Sequence, residues 1–397
     1  MKNKNMAKEN EIKTVVPALR FPEFQDTEGW KEYKLKNLCE IGNGKDYKHL
    51  SSGNIPLYGS GGYMTSVDDF LYDGESVCIG RKGTIDKPIF LTGKFWTVDT
   101  LFYTHSFNNC LPKFLYLIFQ KINWYKYNEA GGIPSLSKTT IGEINVFAPV
   151  GKKGELKEQQ KIADCLSSLD ELIEAITQKV ETLKEHKKGL MQRLFPAEGK
   201  NAPDLRFPEF QGTSVWESTL LGAVVDYENG RAHENEIDEE GNFIVVNSKF
   251  ISTDGEVVKR TNTPYCLADK EDILMVLSDV PNGRAIAKCF FVDQSGKYTV
   301  NQRICRLRSK NINSKLLFYL INRNPYFLSF DDGVKQTNLK KNEVLECPLM
   351  IPSSPIKQQK IADLLSSIDD LIIATGQRIK SLKEHKKGLM QQLFPKI

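Results

Sequence analysis

The sequence predicts an α+β protein in which two mixed α/β domains are joined by two long helices that pair as an antiparallel coiled coil. Three observations predict this fold. A nine-residue passage occurs twice, a long helical passage occurs twice, and the segments between them share scattered anchor residues. Together they describe a pseudo-two-fold repeat of one domain and one helix.

The repeated passages are nearly identical. PALRFPEFQ at 17–25 returns as PDLRFPEFQ at 203–211, with eight of nine letters the same. QQKIADCLSSLDELIEAITQKVETLKEHKKGLMQRLFP at 159–196 returns at 358–395 with 27 of 38 positions identical. A period of roughly 190 residues is far too long for a solenoid and indicates a duplicated domain followed by a duplicated helix.

The repeat also sets the predicted boundaries. They are a polar N-terminal tail at 1–16, a first domain at 17–150, a first helical spacer at 151–200, a second domain at 201–352 and a second helical spacer at 353–397. Between the repeats, Asn43-Gly44-Lys45 aligns with Asn229-Gly230-Arg231, and Trp96-Thr97-Val98-Asp99 aligns with Tyr298-Thr299-Val300-Asn301. The two domains therefore share one predicted fold with different surfaces.

Each helical passage carries an apolar seam with alternating steps of four and three residues, which is typical of a coiled coil. Lys187 and Lys386 occupy the one skipped position of each copy, and a proline ends each helix after roughly 55 Å. Packing of each helix on its own domain alone is the alternative. The predicted seam residues are Ile162, Leu166, Leu169, Ile173, Ile176, Val180, Leu183, Leu190, Ile361, Leu365, Ile368, Ile372, Ile379, Leu382 and Leu389.

Composition excludes several classes of protein. The N-terminus has no apolar h-region, and the longest apolar run, FLYLIF, is too short for a membrane span, so we expect a cytoplasmic protein. The eight cysteines form no CxxC pair and share no ligand-like spacing with histidines, which argues against disulfides and a metal site. The formal net charge of +4 is compatible with nucleic-acid binding without establishing it.

Basic and amide side chains cluster in the predicted turns of both domains. Arginine can bind guanine, asparagine or glutamine can bind adenine, and lysine or threonine suits phosphates. Ordinary solvated turns remain the alternative. The candidate DNA-contacting residues are Lys45, Ser60, Arg81, Lys82, Thr84, Thr97 and Asp99 in the first domain, and Arg231, Asn247, Ser248, Lys249, Asn282, Arg284, Asn301, Gln302 and Arg303 in the second.

Catalytic motifs are incomplete throughout. Asn324-Pro325-Tyr326 lacks one proline of an amino-methyltransferase motif and is interpreted as a turn after a short helix. GGIPSLSKTT at 131–140 lacks the second glycine of a phosphate-binding loop. Pro203-Asp204 is followed by no suitably placed nuclease (D/E)xK. The sequence therefore predicts no catalytic residue.

Taken together, the LRFPEF starts, the GRKGTIDKPIF…FWTVDT and YTVNQR patterns, and the EQQKIAD…LKEHKKGLMQRLF helices resemble the specificity subunit of type I restriction-modification enzymes. The resemblance covers essentially the whole chain. It implies that the domains are two target recognition domains, each reading half of a split, asymmetric DNA site. It implies that the helices are the spacers that fix the half-site separation and dock two modification subunits.

The resemblance also places all bond chemistry in partner subunits. Modification subunits would methylate adenine N6 with S-adenosylmethionine, and restriction subunits would use ATP and Mg for translocation and cleavage. This chain would hold no cofactor. Two rival hypotheses are a stand-alone DNA-binding or coiled-coil scaffold protein, and an enzyme whose site the motifs do not show.

Overall fold

The computed structural model describes residues 14–149, 155–197, 199–212, 216–281 and 283–396. Of the predicted polar tail, only residues 14–16 lie within the described part of the chain. No helix among the described residues is both long enough and apolar enough to cross a membrane.

The first domain consists of short strands and two short helices. Its strands are β1 (Thr14–Val15), β2 (Trp30–Lys34), β3 (Glu40–Asn43), β4 (Ser52–Gly59), β5 (Gly62–Val67), β6 (Tyr72–Asp73), β7 (Ser76–Gly80), β8 (Ile89–Leu91), β9 (Lys94–Thr97), β10 (Leu101–His105) and β11 (Asn145–Ala148). Its helices are α1 (Pro112–Lys121) and α2 (Lys138–Gly142), and the long helix α3 (Glu155–Leu194) follows.

The second domain repeats this composition. Its strands are β12 (Trp216–Leu220), β13 (Val225–Asn229), β14 (Phe243–Val246), β15 (Arg260–Thr261), β16 (Leu267–Ala268), β17 (Ile273–Val276), β18 (Ser278–Asp279), β19 (Cys289–Phe291), β20 (Tyr298–Val300), β21 (Ile304–Ser309), β22 (Thr337–Asn338) and β23 (Pro348–Pro352). Its helices are α4 (Leu221–Val224), α5 (Ser248–Ser252), α6 (Ser314–Ile321), α7 (Pro325–Leu328) and α8 (Lys341–Leu345), followed by the long helix α9 (Pro355–Leu393).

The sheets confirm the predicted duplication. An antiparallel sheet of order β3-β10-β7-β8 in the first domain corresponds to β13-β21-β17-β19 in the second. A mixed sheet of order β5-β4-β9-β6 corresponds to β15-β14-β20-β16, and its central pair is parallel in both domains. The two domains therefore have the same fold and differ in their surface residues.

The structure corrects the predicted alignment of β9 with β20 by one residue. Tyr58 lies opposite Thr97 in the parallel pair, and Val246 lies opposite Val300. The aligned residues Lys45 and Arg231 donate their backbone N–H groups to the carbonyls of Thr97 and Val300, so Thr97 is the counterpart of Val300, and the next position pairs Val98 with Asn301. The similar letters of the two strands favour an alignment that differs by one residue. The hydrogen bonds of the structure exclude that alignment.

A second correction concerns FIVVNSKF at 243–250, whose letters predict a strand that ends in small polar residues. The strand ends at Val246, and α5 begins at Ser248. The side chain of Asn247 accepts a hydrogen bond from the backbone N–H of Phe250 at 2.9 Å, the usual interaction of a helix N-cap. A cap signal within an apolar strand pattern was therefore missed.

Packing divides the chain into two compact units, one of residues up to 177 with 377 onward, and one of residues 178–376. Each unit contains one domain, the first half of the helix that follows this domain, and the second half of the other long helix. Within the first unit α3 and α9 run antiparallel, since Asp170 contacts Lys386 while Ile162 shares a core with Leu393. Antiparallel pairing of the repeated helices is thereby confirmed.

The end of each long helix packs on the start of a domain. In the first unit, the rings of Trp30 and Phe394 meet edge-to-face at 5.6 Å, and the backbone N–H of Leu19 donates to the carbonyl of Gln392 at 2.9 Å. Burial of these large aromatic surfaces is the main attraction between helix and domain. The alternative in which each helix packs on its own domain alone is therefore wrong.

The second unit repeats these contacts at equivalent positions. The rings of Trp216 and Phe195 meet at 6.0 Å, and the backbone N–H of Leu205 donates to the carbonyl of Arg193 at 2.8 Å. Leu194, Ile361 and other apolar residues complete this core. The internal repeat thus extends from sequence to individual contacts.

The seam side chains are all buried or half-buried. Ile162, Leu166, Val180, Ile361, Leu365 and Ile368 are buried, and the other predicted seam residues are partly covered. Partial cover is expected where two helices pair without a third. Leu172 and Leu371, which lie outside the predicted seam, are exposed at equivalent positions.

Candidate nucleic-acid interface

The Asn-Gly-basic anchors place a charged side chain where a strand ends against a buried neighbour. After β3, the backbone N–H of Lys45 donates to the carbonyl of Thr97 at 2.9 Å. A Cβ on Gly44 would lie 1.9 Å from the carbonyl oxygen of Val98, so only glycine fits this approach. The Lys45 side chain is exposed as a result.

The second domain builds the same corner. After β13, the backbone N–H of Arg231 donates to the carbonyl of Val300 at 3.0 Å. A Cβ on Gly230 would lie 2.1 Å from the carbonyl oxygen of Asn301. The corner explains why glycine precedes a basic residue in both copies, and it presents Arg231 to solvent.

An open cleft of about 850 Å³ lies beside the first of these corners. Arg81, Lys82 and Asp99 line it, as predicted candidates, together with Lys138 and Glu129. A guanidinium nitrogen of Arg81 approaches the backbone carbonyl of Asp99 at 3.5 Å, which leaves most of its donors unused. The cleft therefore combines two exposed cations with acidic groups.

Ser60 brings one further turn to the same region. A Cβ placed on Gly83 would lie 3.1 Å from the hydroxyl oxygen of Ser60. Gly83 has φ of +93°, which an L side chain adopts only with strain. The turn between β4 and β5 therefore lies against the basic turn that follows β7. Thr84 is half-buried in this turn.

Thr97 requires a correction. Its side chain is fully buried, and its hydroxyl has no hydrogen-bond partner within the described part of the chain. A side chain without exposed surface cannot contact DNA in this conformation.

A second cleft, of about 320 Å³, lies in the second domain. Five predicted candidates line it together, and the structure adds His233, Glu234 and Lys259. Lys249 and Arg303 are exposed and supply its positive charge, whereas Ser248 is half-buried. The predicted residues that meet here are Asn247, Ser248, Lys249, Asn301 and Arg303.

The amide side chains of this cleft are less free than the sequence predicts. The carbonyl oxygen of Asn247 caps α5 and leaves its amino group for a ligand. Asn301 is only 9% exposed, and the amide of Gln302 donates to the carboxylate of Glu234 at 3.1 Å. Arg303 is therefore the least committed polar group at the junction of β20 and β21.

Arg284 lies on a turn outside the residues that line this cleft. The turn is held by Asp279, whose carboxylate accepts hydrogen bonds from the backbone N–H groups of Val280 at 2.9 Å and of Ala285 at 2.6 Å. Arg284 remains exposed. Asn282, predicted beside it, lies outside the described residues.

A second loop lies against the basic turn in each domain, and the sequence did not predict it. In the first domain Lys82 pairs with Ser135, and the backbone N–H of Gly83 donates to the carbonyl of Pro134 at 2.9 Å. In the second domain β18 pairs with β22. This loop brings Lys138 to the first cleft. The capping serine before α2, Ser137, was an available signal.

His233 also escaped the sequence interpretation. It is fully buried, with Nδ1 2.7 Å from the carbonyl oxygen of Arg231 and Nε2 3.0 Å from the hydroxyl of Thr299. Nδ1 therefore donates to the carbonyl, and in the neutral ring Nε2 accepts from the hydroxyl. Burial lowers the pKa of His233. The ring thus fixes the backbone that carries Arg231.

Metal and thiol chemistry find no support among the described residues. No group of His, Cys, Asp and Glu there could hold a metal ion. The eight cysteines are unpaired, and all except Cys165 are buried. Burial raises the pKa of Cys78 and Cys305 to about 12, which keeps both thiols protonated and unreactive.

Asn324-Pro325-Tyr326 has a structural role. The side chain of Asn324 accepts a hydrogen bond from the backbone N–H of Tyr326 at 2.9 Å and caps α7. The sequence predicts a turn here, and the structure has a single helical turn. The capped helix end accounts for the motif without a target amine.

These features define a class of protein with two copies of one α+β domain, each bearing its own polar cleft, on paired antiparallel helices. Two segments of the chain, 27–185 and 213–384, match the family model of the type I restriction modification DNA specificity domain. The chain belongs to this family.

Two proteins with the name of a specificity subunit are similar to this chain. The chain is 26% identical over 347 residues to the type I restriction enzyme MjaVIII specificity subunit of Methanocaldococcus jannaschii, covering 82% of this chain and 77% of the relative. It is 25% identical over 415 residues to the putative MjaX specificity subunit of the same organism, covering 99% and 90%.

Among solved structures, the S subunit of a type I restriction-modification system from M. genitalium matches with a TM-score of 0.69 at 15% identity, covering 96% of this chain and all of that one. At that identity the match shows the fold alone, and it agrees with the predicted architecture.

Proposed function

We propose that this chain is the DNA-sequence-reading subunit of a type I restriction-modification complex, and that its two domains read the two halves of an interrupted, asymmetric site. One observation carries the proposal. Each domain carries a polar cleft on the shared strand framework, but the two clefts form at different places: the basic turn after β7 lines the first, whereas α5 and the residues between β20 and β21 line the second. Equivalent frameworks with different linings suit the reading of two different half-sites.

The chemistry of each cleft suits duplex DNA. In the first domain Arg81 offers a guanidinium that can bind guanine in bidentate fashion, and Lys82 and Lys138 suit phosphates. In the second domain Arg303 offers the same fork and Asn247 an amino group. We assign Lys45, Ser60, Arg231, Lys249 and Arg284 to backbone contacts.

The remaining candidates have narrower roles. Asp99, Ser248 and Asn301 line the clefts, the amide of Gln302 donates to the carboxylate of Glu234, Thr84 is half-buried in its turn, and the buried Thr97 makes no contact. These assignments rest on exposure and hydrogen bonding of the described side chains.

The paired helices would assemble the complex. Leu172 on α3 and Leu371 on α9 are 39% and 44% exposed, at equivalent places in the repeat. Apolar side chains repeated outside the seam suit two copies of one partner, and we propose that two adenine-N6 modification subunits dock there. Restriction subunits would join this assembly, and the helices would set the gap between the half-sites.

This division of labour leaves bond chemistry to the partners. S-adenosylmethionine would bind the modification subunits, and ATP and Mg would bind the restriction subunits. The present chain would contribute recognition and assembly.

The proposal is tested by methyl transfer with purified components. The modification subunit from the same genome is prepared alone and co-expressed with this chain, and both preparations receive S-adenosylmethionine and genomic DNA. We expect methylation only in the presence of this chain, in a complex that co-purifies. Equal methylation without the chain, or no methylation by a stable complex, would contradict the proposal.

A further inference from the structure

The two copies differ in charge at one buried position where a long helix meets its domain. Glu158-Gln159-Gln160 at the start of the first helix corresponds to Lys357-Gln358-Gln359 in the second. The repeat also pairs Arg20 with Arg206, and Trp30 with Trp216. A carboxylate in one copy is therefore replaced by an ammonium group in the other.

In the first unit the carboxylate completes a buried triad. Glu158 is 2% exposed, and its two oxygens accept hydrogen bonds from the guanidinium of Arg20, each at 2.7 Å. The indole N–H of Trp30 donates to the same carboxylate at 3.2 Å. Both donors are thus satisfied, and the charge of Arg20 is neutralised.

In the second unit two buried donors have no acceptor among the residues that the structure describes. Lys357 is 3% exposed, and neither its Nζ nor the indole Nε1 of Trp216 has a hydrogen-bond partner within the described residues. The Nζ atom lies 5.6 Å from the centre of the Trp216 ring. Burial, and then the nearby Arg206, lower the pKa of Lys357.

The surrounding framework is otherwise the same. The amide of Gln159 donates to the carbonyl of Pro149 at 3.2 Å and accepts from the backbone N–H of Leu111 at 2.8 Å. The amide of Gln358 donates to the carbonyl of Pro352 at 2.8 Å and accepts from Asn313 at 2.9 Å. The start of the long helix therefore packs against both domains in the same way. The difference is the charge of the side chain at Glu158 and at Lys357.

Buried donors without acceptors, and buried cations without counter-charges, are strongly unfavourable. We infer that this position in the second unit is a binding site for a small monovalent anion of the size of chloride. The anion accepts hydrogen bonds from Lys357 and Trp216, and supplies the negative charge that Glu158 supplies in the first unit. This inference does not depend on the proposed function.

The test measures thermal unfolding of the full chain in mixtures of sodium chloride and sodium gluconate at constant ionic strength. Gluconate serves as the bulky monovalent anion that an enclosed site excludes. Since a ligand that binds only the folded state raises the midpoint, we expect the wild-type midpoint to rise by about 2–4 °C as chloride replaces gluconate.

Two variants make the test specific. Lys357→Glu recreates the triad of the first unit, so it should raise the midpoint in gluconate and abolish the response to chloride. Trp216→Phe keeps an aromatic ring at this position but removes the indole N–H donor, so it should weaken the response to chloride. Lys357→Met removes the charge and should also abolish the response, even if the glutamate variant folds poorly. Equal responses to chloride in wild type and Lys357→Met would overturn the inference.

Discussion

The ammonium nitrogen of Lys187 lies 2.6 Å from a carboxylate oxygen of Asp369. The repeat places the same pair at Lys386 and Asp170, also at 2.6 Å. These are the two lysines that interrupt the apolar seams. Each interruption is therefore a salt bridge to the other helix, at a position that fixes which residues of the two helices lie opposite each other.

Reversing one of these charges should destabilise the protein. Lys187→Glu places a second carboxylate beside Asp369, whose side chain is only 26% exposed, and we expect a loss of about 1–3 kcal/mol in the free energy of unfolding. The double variant K187E/D369K should recover most of the lost free energy of unfolding, as measured by urea denaturation. The exposed neighbour Lys188→Glu is the control, with a change below about 0.5 kcal/mol. Equal losses at positions 187 and 188 would contradict the registering role.

The buried triad of the first unit predicts a larger effect. Glu158→Gln leaves the guanidinium of Arg20 buried without a counter-charge, and we expect it to cost about 3–5 kcal/mol. Replacing both Arg20 and Glu158 by methionine should cost far less, because no buried charge remains. Lys161→Ala, which breaks the exposed pair with Glu23, should cost less than about 1 kcal/mol. A double variant as unstable as E158Q would show that the charge is not the cause.

Replacing glycine by alanine should have opposite effects on stability at a corner and within a long helix. Gly44→Ala places a Cβ 1.9 Å from the carbonyl oxygen of Val98, and we expect a loss of about 1–3 kcal/mol. Gly189→Ala, within α3 with open space around its Cβ, should instead stabilise by about 0.5–1 kcal/mol. Urea denaturation of both variants under the same conditions measures the two changes in the free energy of unfolding. Comparable stability of both would show that the corner at Lys45 tolerates a side chain.

His233 predicts a pH dependence. Burial lowers its folded-state pKa from the ordinary value of 6.5, so the unfolded chain binds a proton that the folded chain resists. Stability should therefore be complete above about pH 7 and decline as the pH falls below about 6.5. His233→Gln should flatten this part of the profile, whereas His385→Gln, exposed on α9, should leave it unchanged. An unaltered profile in H233Q would assign the dependence to other groups.

Much of the fold follows from local patterns in the sequence. The four–three spacing predicts both long helices, and Pro196 and Pro395 mark their ends within two residues. The packing of Phe394 on Trp30 involves residues at opposite ends of the chain, and only the tertiary structure reveals it. The repeat predicts that the helices pair, but not which aromatic rings meet.

The candidate site was harder to predict for physical reasons. Phe95, Trp96 and Thr97 are buried one after another in β9, so both faces of this strand are covered and the selected hydroxyl of Thr97 lies in the core. Asn247 was selected as a free amide, but it caps a helix. Lys138 and Lys259 reach the clefts through loops far from the basic turns in sequence, so the letters around the basic turns do not point to them.

The most direct test of the proposed function is methylome sequencing. The chain is co-expressed with its modification subunit in a host without other adenine methylation. The account predicts N6-methyladenine within one interrupted, asymmetric motif, with Arg81→Ala relaxing one half of the motif and Arg303→Ala relaxing the other. The same motif without this chain, or a single cleft variant that alters both halves, would contradict it.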